Sequence, residues 1–151
     1  DLPDALLEPS TENALLVTRL LRELRPRLVL TPHWDDHHPD HVAVCRLVER
    51  ARYLATRHGL LPELDVLAPA PRHLTYPLSV KRVPRPSLVL DITDVWGTKR
   101  EAIACHGSQA ALITYAAEIG ARYFGAMIGV AFGEGFLPLE PFALSADLAL
   151  I

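Results

Sequence analysis

Cysteine, methionine and basic runs are scarce in this sequence, and each scarcity removes a class of protein. There are only two cysteines, Cys45 and Cys105, too few for the disulfide frameworks of small secreted domains. Both stand among apolar neighbours in helical patterns, so both are expected as buried free thiols, which fits a reducing cytoplasm. No basic run occurs and the formal net charge is −3, which argues against a nucleic-acid or anionic-membrane surface. No apolar stretch approaches the roughly 20 residues needed to span a bilayer. The opening Asp1-Leu2-Pro3-Asp4 lacks the basic and apolar regions of a secretory signal. Starting without methionine, the chain is expected to be a processed product, a fragment or a truncated form. Neither a glycine-rich phosphate loop nor a Gly-x-Ser-x-Gly elbow is present, and there is no internal repeat or low-complexity tract.

What is present is apolar residues, at 50% of 151, enough for a sheet covered by helices and of a length that suits one domain, residues 1–151. Ser10 or Thr11 can cap a helix over about 11–25, whose apolar stripe includes Leu16, Val17, Leu20, Leu21 and Leu24. Arg22 and Arg25 suit its last turn, and Pro26 stops it. Leu28-Val29-Leu30 is a continuous apolar run, as expected of a strand covered on both faces in a parallel sheet. Pro39 fits the first position of a second helix reaching about His58, with Gly59 ending it. Helix, strand, helix in this order is the pattern of a doubly wound α/β domain, whose ligands bind at the carboxyl ends of strands. Further on, His73–Leu78 and Ser87–Ile92 are strand candidates. Thr93 or Asp94 can cap a helix of about 95–106. Another helix is expected over 109–124, and a last strand over Gly129–Phe132; the glycines on either side of Glu134 suit close backbone approach to a ligand or, equally well, a turn.

Between the first strand and the second helix, Thr31–His41 gathers four of the seven histidines and three aspartates. Imidazole and carboxylate at such spacing suit a borderline-soft divalent cation such as Zn2+. His41 stands three residues before Val44 and seven before Val48, over the buried face of the second helix, and His38 flanks the same place. Asp40 can accept a hydrogen bond from a ligating imidazole. The plainer alternative is a solvated loop in which Asp36 or His38 only caps a helix. So dense a cluster favours metal chemistry.

His38-Pro39-Asp40-His41 after a strand resembles the second metal motif of the LmbE-like (PIG-L) zinc N-deacetylases. Leu90-Asp91-Ile92-Thr93-Asp94-Val95-Trp96, with Lys99 and Ser108-Gln109, is similar to later segments of that family. Ile128-Gly129-Val130 with Gly133-Glu134-Gly135-Phe136 resembles its C-terminal signature, and Leu21–Pro26 the helix end before the motif strand. The resemblance covers nearly the whole chain and is nearest to the bacillithiol-pathway branch, which removes acetate from N-acetylglucosaminyl-malate. It implies a Rossmann-like three-layer α/β/α fold with a mainly parallel sheet. It further implies a zinc ligand at His41, an oxyanion-stabilising histidine at His38 and a site-tuning carboxylate at Asp40.

The implied partner is a small N-acetylated sugar, in the cytoplasm, with no nucleic acid and no membrane; a homo-oligomer is left open. The family often carries arginine where this chain has His37. Its first motif, His-Pro-Asp-Asp, supplies two zinc ligands and the general base and does not occur in this sequence. The expectation is therefore a domain lacking its first strand–helix unit and inactive by itself. Two rival readings are a metallo-β-lactamase-like hydrolase, from the near match to His-x-His-x-Asp-His, and a non-catalytic relic of the deacetylase fold. Tyr76, Arg82, Arg85, His106 and Glu134 are weaker candidates for substrate contact.

Overall fold

The structure, a computed structural model, describes residues 4–78, 82 and 84–141. It divides into two compact units, one of residues 1–75 with 138–151 and one of residues 76–137. Among the described residues no helix is long and apolar enough to cross a membrane.

The first unit is built on α1 (Thr11–Leu24), β1 (Leu28–Pro32), α2 (Pro39–Ala55) and β2 (Arg72–Tyr76), with β2 beside β1. Ser10 caps α1, its hydroxyl accepting the Asn13 N–H at 3.1 Å. The helix ends where Arg25 turns left-handed, at φ 46°, just before Pro26. Helices α1 and α2 approach closely because Ala14, Ala51 and Ala55, each fully buried, leave little between them. Leu21, Ala51, Ala55 and Leu67 form the core there, with Val17 and Val29 packed against it. At about 25 cal/mol per Å² of apolar surface removed from water, such burial is the main favourable contribution to the unit.

Arg22 stands in the last turn as expected, and it is only 3% exposed. Its guanidinium donates to the carbonyls of Ala55 (3.1 Å), Leu60 (2.5 Å) and Arg57 (2.5 Å), with Leu54, Leu61 and Leu64 also in reach. A buried cation is tolerable when every donor finds an acceptor, and here the end of α2 and its following loop provide them. Helix α2 therefore stops at Ala55 with Thr56 as its cap, three residues short of the expected His58. Leu30 is 47% exposed, so β1 is not covered on both faces among the described residues.

The second unit holds β3 (Leu88–Asp91), α3 (Trp96–Ala104), α4 (Ala110–Ile128) and β4 (Gly133–Pro138). Neither Thr93 nor Asp94 caps α3. Thr93–Val95 form a 3-10 turn instead, and the Asp91 carboxylate takes the Thr93 N–H at 2.9 Å. Strands β3 and β4 pair antiparallel, Leu88 opposite Phe136 and Asp91 opposite Gly133, against the expectation of mainly parallel pairing. Two helices between them carry the chain out and back, so it re-enters heading the other way, whereas one crossover helix would return it parallel.

The segment Gly129–Phe132 is not a strand. Gly129 at φ 77° ends α4 in a left-handed cap, and the strand begins at Gly133, in the stretch for which a turn or a close approach to a ligand was expected. Its glycines serve close approach: a Cβ on Gly133 would lie 2.7 Å from the Gly125 nitrogen, and one on Gly135 3.0 Å from the Phe124 ring. Ile92, Trp96 and Ala121 form this unit's core, with the Trp96 and Phe132 rings stacked at 4.7 Å. Cys45 is buried as expected, but Cys105 is exposed at the end of α3.

Candidate active site

The loop after β1 turns back on itself through its own side chains. Asp36 is the pivot, with its side chain only 2% exposed. Its Oδ1 accepts the His38 N–H at 2.9 Å, the turn by which an aspartate binds the amide two residues on. The same oxygen lies 3.0 Å from His37 Nδ1 and 3.1 Å from His41 Nδ1. The His41 contact is close but bent, out of the line of a straight hydrogen bond, and this buried nitrogen has no other partner among the described residues. Burial works against the charge on Asp36. The His38 amide and the His41 and His37 imidazoles outweigh it and hold the carboxyl below the usual carboxylate range.

His38 is the cap of α2, with extended backbone (φ −88°, ψ 124°), and its Nδ1 accepts the Asp40 N–H at 3.2 Å. A neutral imidazole that accepts at Nδ1 carries its proton on Nε2. His38 thus presents an N–H on the far side of its ring. Pro39 takes the first helical position, and the His38 and His41 rings stack at a centroid distance of 4.7 Å and 27°. The two histidines singled out in the sequence are thereby brought side by side at one helix start.

Asp40 faces elsewhere. Its carboxylate accepts the backbone N–H of Ala5 at 2.7 Å and of Leu7 at 3.0 Å. The hydrogen bond that Asp40 was expected to accept from a ligating imidazole is not made among the described residues. Asp40 holds the segment leading into α1, and the carboxylate beside His41 is Asp36. The sequence carried a signal for this: an aspartate two residues before the helix cap is the pattern of a side-chain turn.

Sequence reasoning also gave no role to His33. It is 3% exposed, accepts the Asp35 N–H at Nδ1 (3.0 Å), lies against the Trp34 ring at a centroid distance of 3.8 Å and a tilt of 32°, and leaves Nε2 without a partner among the described residues. Burial lowers its pKa, partly offset by the negative charges of Asp35 and Asp36.

Among the described residues no group of three histidine, cysteine or acidic side chains is arranged to hold a metal ion. The donor chemistry fits a zinc site in part: an imidazole with a buried carboxylate behind its Nδ1 keeps Nε2 as a lone pair for a metal. His41 is the imidazole with that arrangement.

The weaker candidates lie apart from this loop in the sequence. In the second unit Lys99 Nζ reaches Glu134 Oε1 at 2.6 Å, both side chains about one-third exposed. Tyr76 is half-buried, and burial, followed by the Glu134 charge, raises its pKa. Arg85, His58 and His106 are exposed. Lys81 falls outside the described residues, as does the side chain of Ser108.

Comparison with known proteins now bears on this geometry. The family model described as PIG-L, GlcNAc-PI de-N-acetylase, matches residues 1–52, the stretch that contains the whole histidine loop. The chain is 27% identical over 117 residues to 4-oxalmesaconate hydratase of Pseudomonas putida, covering 76% of this chain and 45% of that protein. Among solved structures it is similar to the conserved protein TT1542 of Thermus thermophilus, with a TM-score of 0.84, 28% identity and coverage of 96% and 66%. The fold also matches N,N'-diacetylchitobiose deacetylase of Pyrococcus horikoshii, with a TM-score of 0.77, 23% identity and coverage of 99% and 60%. These matches support a PIG-L, or LmbE-like, relationship. The structural matches agree with the mixed α/β fold described above. The chain spans less than half the length of the curated relative it matches.

Proposed function

We propose that this chain is part of a zinc-dependent N-deacetylase that removes acetate from a small N-acetylglucosaminide. The observation that carries the reading is the pairing at the start of α2: His41 with a carboxylate at its Nδ1, beside His38 with its proton on Nε2. The first suits a metal ligand and the second a donor to developing negative charge. When bound, zinc supplies Lewis acidity and an activated water at neutral pH. His41 would be one of the residues that hold it. The His38 Nε2–H donates to the carbonyl oxygen of the acetamide as the carbon becomes tetrahedral and that oxygen gains charge. Asp40 keeps the site in place by tying the chain ahead of α1 to the helix start. Among the described residues His41 has no two further donors grouped with it for a metal ion.

The narrower substrate proposal is N-acetylglucosaminyl-malate of the bacillithiol pathway. It rests on the similarity of the later segments to that branch, and the cytoplasmic setting belongs to the same proposal. A second reading has support of its own, because the matched curated relative is a hydratase. Activated water then adds to a conjugated carbon–carbon double bond, and His38 stabilises an enolate oxygen in place of an amide oxyanion.

The deciding experiment is acetate release from N-acetylglucosaminyl-malate with added zinc by the protein its gene encodes, alongside water addition to an unsaturated dicarboxylate. In the active protein His41→Ala should lose both zinc and turnover. His38→Ala should keep its zinc and lose about 10²–10³ in kcat with little change in KM. Zinc lost from His38→Ala and retained by His41→Ala would reverse the two assignments. Addition to the double bond without acetate release would select the hydratase.

A further inference from the structure

The loop contains one carboxylate around which its histidines are arranged, and sequence reasoning gave it no role beyond a cap. We propose that Asp36 is the positioning residue of the site: it keeps the proton of His41 on Nδ1, so that Nε2 is a lone pair directed to a metal.

Three observations lead there. First, Asp36 is withdrawn from water, with 2% of its side chain exposed, while the neighbouring imidazoles of His37 and His41 are 48% and 29% exposed. A buried carboxylate is retained only where donors surround it, and it has them: the His38 amide at 2.9 Å and the two imidazole Nδ1 atoms at 3.0 and 3.1 Å. Second, His41 Nδ1 is itself buried and has no other acceptor or donor among the described residues. Buried polar atoms are nearly always paired, so the bent 3.1 Å contact to Asp36 is the pairing available to it. An acceptor-only carboxylate requires Nδ1 to carry the hydrogen. Third, the turn that Asp36 makes with the His38 amide fixes where α2 begins, and the first turn of α2 places His41 against the stacked ring of His38. One side chain therefore governs both the direction of His41 and the position of its proton.

The neighbouring histidine is wired the opposite way. His38 Nδ1 is occupied as an acceptor of the Asp40 N–H, which leaves its hydrogen on Nε2. Two stacked imidazoles thus carry opposite tautomers, one offering a lone pair and the other an N–H. A metal ligand and an oxyanion donor side by side require this combination, and Asp36 enforces the half of it that the helix cap does not.

The assignment rests on the reading of His41 as a metal-facing residue, but its test does not need activity. Long-range proton–nitrogen spectra of the histidine side chains of the whole chain, near neutral pH and without metal, report each tautomer. Wild type should show Nδ1–H at His41 and Nε2–H at His38. In Asp36→Ala, His41 should move to mainly Nε2–H while His38 stays as it was. Asp36→Asn retains an acceptor for the His38 amide and so keeps the turn. It should weaken zinc binding at His41, followed by the same resonances, by roughly 10–100-fold without altering the backbone amide spectrum. His41 carrying Nε2–H in wild type would overturn the proposal. So would a folded Asp36→Ala with an unchanged His41 tautomer. Should Asp36→Ala fail to fold, Asp36→Asn decides, and wild-type zinc affinity in that variant refutes the assignment. The expected tautomers in a chain whose spectra do not respond to zinc would uphold the role of Asp36 and remove the zinc reading of the site.

Discussion

Acidification should destabilise the fold through His73. His73 lies in β2 with 1% of its surface exposed. Its Nε2 is 2.7 Å from Thr31 Oγ1 and its Nδ1 has no partner among the described residues. Burial, helped by the nearby Arg52 charge and opposed by Glu140, lowers its pKa from 6.5 to about 4. In the unfolded chain the imidazole takes up a proton near 6.5, whereas in the folded chain it stays neutral until about 4. Between those values the unfolded state binds more protons, so stability falls as pH is lowered through the window and levels off beneath it. At about 1.36 kcal/mol per pH unit, the gap gives an upper bound of about 3 kcal/mol, a large part of the margin of a small domain.

Urea unfolding at a series of pH values from neutral to about 4, on wild type and His73→Gln, measures it. Glutamine can place a polar atom near Thr31 and cannot titrate, so the variant should lose most of the slope in that window. His33 shifts in the same direction, but it is present in both proteins and cancels in the comparison. Asp36 titrates below the window and cancels as well. Parallel declines in wild type and His73→Gln would refute the reasoning and move the acid sensitivity elsewhere.

Three further outcomes follow from other parts of the structure. Arg22→Met should cost about 3 kcal/mol or more in chemical denaturation, because it strands several buried carbonyls at once; a loss under about 1 kcal/mol would show that water replaces the guanidinium freely. Gly133→Ala should destabilise by about 1–3 kcal/mol, since the new Cβ meets backbone at 2.7 and 2.9 Å and the Val89 side chain at 2.9 Å; a thermal midpoint equal to wild type would mean that α4 and β4 separate easily. Alkylation of the native chain should label Cys105 rapidly and spare Cys45, which is buried and whose pKa is raised by desolvation, and equal labelling before unfolding would contradict that placement.

Much of the first unit was legible because its signals are local. Ser10, Pro26 and Pro39 punctuate the helices by backbone chemistry that acts within a turn, and α1, β1 and the start of α2 lie where these residues put them. The histidine cluster was legible for the same reason, since residues so near in sequence cannot be far apart in space. Failures came where a distant element decided. The last-turn position of Arg22 gave no sign that the loop after α2 would bring its carbonyls to the guanidinium. Gly133 and Gly135 looked like a turn because nothing nearby shows that Phe124 and Gly125 will press against them. Asp40 and Asp36 exchanged places as partners because the amides of Ala5 and Leu7, far off in the sequence, claim the former.

The Arg22 arrangement has a consequence for how the chain can change over time. The guanidinium touches the stretch after α2 only at main-chain oxygens, those of Arg57, Leu60, Leu61 and Leu64. Main-chain oxygens are the same whatever residue carries them. Side chains in this stretch are therefore free to drift without loosening its hold, whereas inserting or deleting a single residue would shift every acceptor out of register. Variation here should be wide in letters and narrow in length, set by one arginine in another helix.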